Sequence, residues 1–176
     1  RARPPRLLRH HARPDVSSRK HSTLPSPFRL LPEAVRCAHC SDKRAILAEL
    51  ARGFASAYGL DEGMVLDALR EREALGSTGF GRAVAIPHAR LETIDRPLAM
   101  LIHLDRDVDF DAADGIPVRL VVGLLSPSDA GAQHLHALAA ISRVTRDARV
   151  LHQLFEARSE EELFAIIANS GLRDAA

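Results

Sequence analysis

Leu98-Ala-Met-Leu-Ile-His-Leu104 and Val118-Arg-Leu-Val-Val-Gly-Leu-Leu125 set the architecture of this chain. Both runs are nearly continuous in apolar residues and of strand length, the pattern of strands covered on both faces. Both are much shorter than the roughly 20 residues of a membrane helix. A third strand is expected over Ala83–Ile86, because the residue before Pro87 is pushed towards extended geometry. One more is expected near residues 29–36 or 108–110. The acidic stretch Asp109–Gly115 reads as a turn-rich connection.

Helices surround these strands. Residues 42–58 place Ile46, Leu47, Leu50, Phe54 and Tyr58 at helical spacing, with Ser41 as N-cap and Gly59 as the stop. Residues 62–75 carry Val65, Leu66, Leu69 and Leu75, capped by Asp61 and closed by Gly76. Gln133–Thr145 carries Leu135, Leu138, Ile141 and Val144, and residues 148–157 carry Val150, Leu151, Leu154 and Phe155. Ser159-Glu160-Glu161-Glu162 forms a capping box before a last helix through Leu163, Ile166 and Ile167. Two helices, three strands and three helices in that order predict an α/β (α+β) fold. The expected form is a compact layered domain, with a mixed central sheet of about four to five strands flanked by helices.

The net charge of +1 is unevenly spread. Residues 1–28 hold seven Lys or Arg against Asp15 alone, which is +6 and leaves about −5 for the rest of the chain. The same segment holds five of the ten prolines and no periodic apolar pattern. It is expected to be a disordered basic tail, with residues 29–172 as the working domain. A basic arm can also touch nucleic acid or membrane phosphates, and an Arg-rich, acid-poor start also suits a transit peptide or translated upstream sequence. The folded part lacks a basic stripe, so neither nucleic acid nor membrane insertion is expected. Cys37 and Cys40 could mark a zinc or redox pair, but only His39 lies beside them, and incidental reduced thiols of a cytoplasmic protein are expected instead.

Among nine histidines, His88 has the distinctive surroundings. It follows a small-residue strand and Pro87, and the glycines Gly76, Gly79 and Gly81 just upstream let a partner's backbone come close. His103 sits within an expected strand as a core or face residue, and His152 on a late helix is expected to be exposed. On this alone, a structural histidine remains the stronger reading of His88.

The stretch from Arg72 to Arg90, REALGSTGFGRAVAIPHAR, resembles the signature of the enzyme IIA domain of the bacterial phosphotransferase system, fructose/mannitol type, and most closely its nitrogen-regulatory branch. Val108–Val118, Leu124-Leu-Ser-Pro127 and Gln133-His-Leu-His-Ala-Leu138 resemble further segments of that family in the same order. Together they extend the likeness from about residue 29 to residue 171. Two departures stand out: Ala89 where the family commonly has glycine, and Gly81-Arg82 in place of a small or polar residue.

The resemblance implies that His88 accepts a phosphoryl group from the phosphocarrier HPr or its nitrogen-branch counterpart. Arg72 and His134 would flank the phosphoryl oxygens, while Ser77, Thr78 and Gly79 shape the loop and donate hydrogen bonds to phosphate. An imidazole with an ordinary pKa near 6.5 is mostly neutral at cytoplasmic pH and keeps a lone pair for attack. His136, two residues beyond His134 on a helix, points elsewhere, and that spacing does not suit a metal pair. No metal or organic cofactor is expected. The protein would be a transferase component with a phosphohistidine intermediate, signalling to downstream regulatory targets. The absence of a fused transporter segment in this sequence favours that role. The alternatives are a sugar-transport enzyme IIA passing phosphate to an enzyme IIB, and a non-phosphorylated binding module of the same fold.

Overall fold

The structure is a computed structural model that describes residues 26–172, with side chains through residue 170. Residues 1–25 of the expected tail lie outside the described residues. The expected boundary at residue 29 falls within the packed region, because Phe28 is buried against the sheet.

A short 3₁₀ turn, Pro32–Ala34, leads into β1 (Val35–Ala38), followed by helices α1 (Lys43–Tyr58) and α2 (Glu62–Ala74). Four strands come next: β2 (Gly79–Gly81), β3 (Val84–Ala85), β4 (His88–Leu91) and β5 (Leu98–Val108). The long strand β6 (Val118–Pro127) precedes α3 (Gly131–Arg146), α4 (Ala148–Glu156) and α5 (Glu160–Ile167). The sheet runs β1-β5-β6-β3-β2, and β4 continues alongside β6 beyond β3. It is mixed: β1 pairs parallel with β5, β3 and β4 parallel with β6, and β5 antiparallel with β6.

Burial explains the continuous apolar runs. Along β5, Met100, Ile102 and Leu104 pack with α1 and α2, while Ala99 and Leu101 pack with the three C-terminal helices. Along β6, Val121 and Leu125 face the first layer, and Leu120, Val122 and Leu124 the second. Both strands are thus sandwiched, and a period-two pattern disappears when neither face meets water. Gly123 is the point of closest approach. A Cβ there would lie 2.8 Å from Leu50 Cδ2 and 2.9 Å from Phe54 Cε2. Gly123→Ala is therefore expected to cost about 1–3 kcal/mol through overpacking, read as a lower denaturant midpoint with unchanged slope. An unchanged midpoint would mean that the helix above it can shift freely.

Caps set the helix ends. Asp42, rather than the expected Ser41, caps α1 by accepting from Ala45 N at 2.8 Å, since its carboxylate reaches the first turn. Asp61 caps α2 and Ser159 caps α5 as read from the sequence, and Gly59 ends α1 at a left-handed φ of 70°. Two residues assigned to buried helix faces are instead exposed: Leu75 at 85% and Leu135 at 64%. α2 ends at Ala74, so Leu75 no longer follows the helical stripe. The glycine-containing stretch over residues 76–82 contains β2, which forms a tight hairpin with β3. Its turn places Gly81, Arg82 and Ala83 at positive φ, and Arg82 N donates to Asp114 Oδ2 at 2.9 Å, anchoring a backbone that costs energy for non-glycine residues.

Candidate functional site

His88 opens β4, where the parallel pairing His88–Leu124 sets it beside the end of β6. The turn before it is fixed by Pro87 and by Ile86 N donating to Thr78 O at 2.9 Å. The His88 ring is held at both nitrogens. Nδ1 lies 2.8 Å from the Ile86 carbonyl, and Arg72 Nε donates to Nε2 at 3.1 Å. A carbonyl only accepts and a guanidinium only donates, so the proton sits on Nδ1 and the lone pair on Nε2. Burial, followed by the Arg72 and Arg90 charges, outweighs the Ile86 bond and holds the His88 pKa below its ordinary 6.5. The ring is neutral at neutral pH.

Arg72 comes from the last turn of α2. Its Nη1 also donates to Gly76 O at 3.1 Å, which orients the guanidinium. His134, from the first turns of α3, is 6% exposed, and its Nδ1 lies 2.9 Å from Ser126 Oγ. Its ring centroid is 5.5 Å from that of His88. Burial, followed by the neighbouring charges of His88, Arg90 and Arg72, pushes its pKa down to about 4. Arg72, His88, His134 and Arg90 line one open cleft of about 570 Å³ together with Ala68, Glu71, Leu75 and Ala89.

Three residues read as site candidates are brought together here: His88, Arg72 and His134. The other three are not in the cleft lining. Thr78 is 7% exposed, with both its N–H and its hydroxyl donated to the Glu73 carboxylate. Ser77 Oγ donates to Phe110 O at 2.7 Å and accepts from Gly79 N. At Gly79 a Cβ would lie 2.7 Å from Ala112 Cα, so glycine is required by a neighbouring loop. In this structure the three build the loop: the Ser77 hydroxyl, the Thr78 N–H and hydroxyl, and the Gly79 N–H all bond within the protein. His136 and His152 are exposed. His103 is a half-buried strand residue whose Nε2 has no partner among the described residues, and burial holds its pKa low. Cys37 is exposed and Cys40 buried, both as free thiols. Among the described residues, no helix is long and apolar enough to cross a membrane.

Sequence reasoning missed Arg90, Ser126 and Glu73. Glu73 alone had a visible signal: it continues the buried stripe of Val65 and Leu69 at four-residue steps.

The depressed His134 pKa makes stability pH-dependent. The unfolded chain titrates near 6.5 and the folded one near 4, so between those values the unfolded state binds more protons. This contribution is complete above pH 6.5 and is lost as pH falls towards 4. The melting temperature is expected to drop from pH 7 to pH 5, and to drop less in His134→Gln. Equal slopes for the two proteins would exclude His134 as a source.

Comparison with known proteins agrees with this geometry. Residues 30–170 match the family model "Phosphoenolpyruvate-dependent sugar phosphotransferase system, EIIA 2". A nitrogen regulatory protein of Bradyrhizobium diazoefficiens is 40% identical over 138 residues, covering 78% of this chain and 90% of that protein. The nitrogen regulatory protein of Escherichia coli K12 is 35% identical over 133 residues, covering 75% and 82%. The crystal structure of nitrogen regulatory protein IIA-Ntr from Neisseria meningitidis superposes with a TM-score of 0.71 at 31% identity, covering 77% of this chain and 94% of that one. With these matches over the same residues that build the sheet, the helices and the His88 cleft, the chain belongs to the EIIA 2 family of the phosphoenolpyruvate-dependent sugar phosphotransferase system.

Proposed function

We propose that this protein is a cytoplasmic phosphocarrier that accepts a phosphoryl group on His88 Nε2 from HPr or a nitrogen-branch HPr-like protein and serves mainly as a regulatory signal. The observation that carries the reading is the state of the His88 ring: neutral, protonated on Nδ1, with its Nε2 lone pair facing the cleft beside Arg72. The names of the relatives, nitrogen regulatory proteins, support the regulatory output.

The step balances simply. The Nε2 lone pair attacks phosphorus, a new N–P bond forms, and the donor's N–P bond breaks with its electron pair returning to the donor imidazole. The Nδ1 proton stays with the Ile86 carbonyl throughout. The phosphorylated ring therefore remains protonated, which makes it a good leaving group for onward transfer. Arg72 Nε–H, released from Nε2 as phosphorus bonds there, turns to a phosphoryl oxygen, and the rest of the guanidinium fork meets the others. In the tautomer where the Ser126 hydroxyl donates to Nδ1, His134 carries its proton on Nε2 and adds a neutral donor to the same group. Arg90 adds positive charge at the rim. Leu75, exposed on the lining of the cleft, suits a protein donor that covers apolar surface on docking.

Transfer in this design relies on positioning and charge stabilisation, so no metal is needed for the step. Adding a dianionic phosphate to a cleft of arginines changes which proteins can dock there, and that change is the signal. Incubation with phosphoenolpyruvate, enzyme I and HPr or its nitrogen-branch counterpart, followed by intact-mass measurement, tests the reading. The expected result is an acid-labile gain of one phosphoryl group. No gain with either carrier would leave a protein-binding module without phosphotransfer.

A further inference from the structure

We propose that Glu73 is a positioning residue for the phosphoryl acceptor, its buried carboxylate fixing the proton of His88 on Nδ1 through a relay that runs from Glu73 to Thr78 to Ile86 to His88. The inference rests on the phosphocarrier reading of His88. Each link is present. Thr78 N donates to Glu73 Oε1 at 2.9 Å and the Thr78 hydroxyl donates to Oε2, so this residue is gripped at two points. Thr78 O accepts from Ile86 N at 2.9 Å, and Ile86 O accepts from His88 Nδ1 at 2.8 Å. Arg72, the residue preceding Glu73 on α2, contacts the other ring nitrogen. Two consecutive helix residues thus control the two ends of one imidazole.

Stability alone does not call for a carboxylate here. The Glu73 side chain is 6% exposed and lies 2.8 Å from Lys43 Nζ. Replacing such buried ion pairs with well-packed apolar residues is often neutral or stabilising. The position also continues an apolar stripe, where leucine would fit the helical pattern. What an ionised carboxylate adds is two strong acceptors that fix the Thr78 backbone and hydroxyl together. Lys43 extends the anchor by reaching Asp111 at 3.1 Å, tying in the loop that also holds Ser77 through Phe110 O. If the Ile86 carbonyl drifts, the Nδ1 proton is free to leave. The alternative tautomer would put its lone pair on Nδ1, away from the cleft, and set an N–H against the Arg72 N–H.

The test uses the full chain, with Glu73→Gln and Thr78→Val, and with Thr78→Ser as the conservative rescue. Glu73→Gln keeps one acceptor but loses the charge and the second acceptor; Thr78→Val removes only the hydroxyl donor and leaves the Lys43–Glu73 pair intact. The ¹⁵N shifts of the His88 ring, read without any donor, report the tautomer directly. The wild type and Thr78→Ser are expected to show protonated Nδ1, and the other two a mixture. With phospho-HPr as donor, the transfer rate at saturation is expected to fall about 10- to 100-fold with KM little changed, as for misplaced reacting groups. A folded Thr78→Val with wild-type ¹⁵N shifts and a transfer rate within about twofold of wild type would overturn the relay, even if Glu73→Gln fails to fold. A wild type that shows the Nδ1 tautomer but takes no phosphate would sink the phosphocarrier reading instead, which keeps the two failures apart.

Discussion

His88→Ala takes up no phosphoryl group from phospho-HPr under conditions where the wild type is fully modified: this is the largest effect expected of any single substitution. The reason lies in the alternatives left in the cleft. Among the described residues, His134 is the only other imidazole lining the cleft, but it is buried, and its Nδ1 is engaged by Ser126. Alanine keeps the strand geometry of β4, since the backbone pairing to Leu124 does not involve the ring. The variant is expected to fold normally, so lost uptake reports chemistry and not collapse. Intact-mass analysis at neutral or basic pH, where phosphohistidine survives, with circular dichroism alongside, reads both. A variant that still gains one phosphoryl group would move the acceptor to another residue.

The second large effect is expected at Arg72. Its Nε–H bond to His88 and the free part of its guanidinium place a fixed cation where phosphoryl charge develops. Removing one preorganised donor of this kind costs roughly 10²–10³ in rate, so Arg72→Ala should slow uptake by about that factor without abolishing it. Arg72→Lys is expected to recover only part of the loss. A lysine offers a point charge and cannot hold His88 Nε2 and Gly76 O from one rigid plane. The arginine charge is also one of the influences that lower the His88 pKa, so His88 should titrate at higher pH in Arg72→Ala. Rapid-quench phosphotransfer and histidine NMR titration check these together. A rate within about threefold of wild type would remove Arg72 from phosphoryl stabilisation.

The layered α/β class and most element positions were legible from the amino-acid pattern alone. Leu98–Leu104 and Val118–Leu125 read as strands covered on both faces because these runs are short, of strand length, and without polar alternation. Asp61, Ser159 and Gly59 marked helix ends because capping depends on a side chain a few residues away. The family signature pointed to His88, Arg72 and His134, and the structure brings all three to one cleft. Ser77, Thr78 and Gly79 were read as phosphate donors because sequence places them beside the acceptor. It does not reveal that Glu73 and Phe110 already claim their hydrogen bonds. Leu75 and Leu135 satisfied an apolar spacing that ends where the helix ends or turns to solvent. The tautomer of His88, the neutrality of His134 and the partners of Glu73 followed from the folded arrangement alone. Periodicity records whether a residue is covered, while the parallel pairing of β4 with β6 and the packing of α2 against β4 decide what covers it, and with which charge.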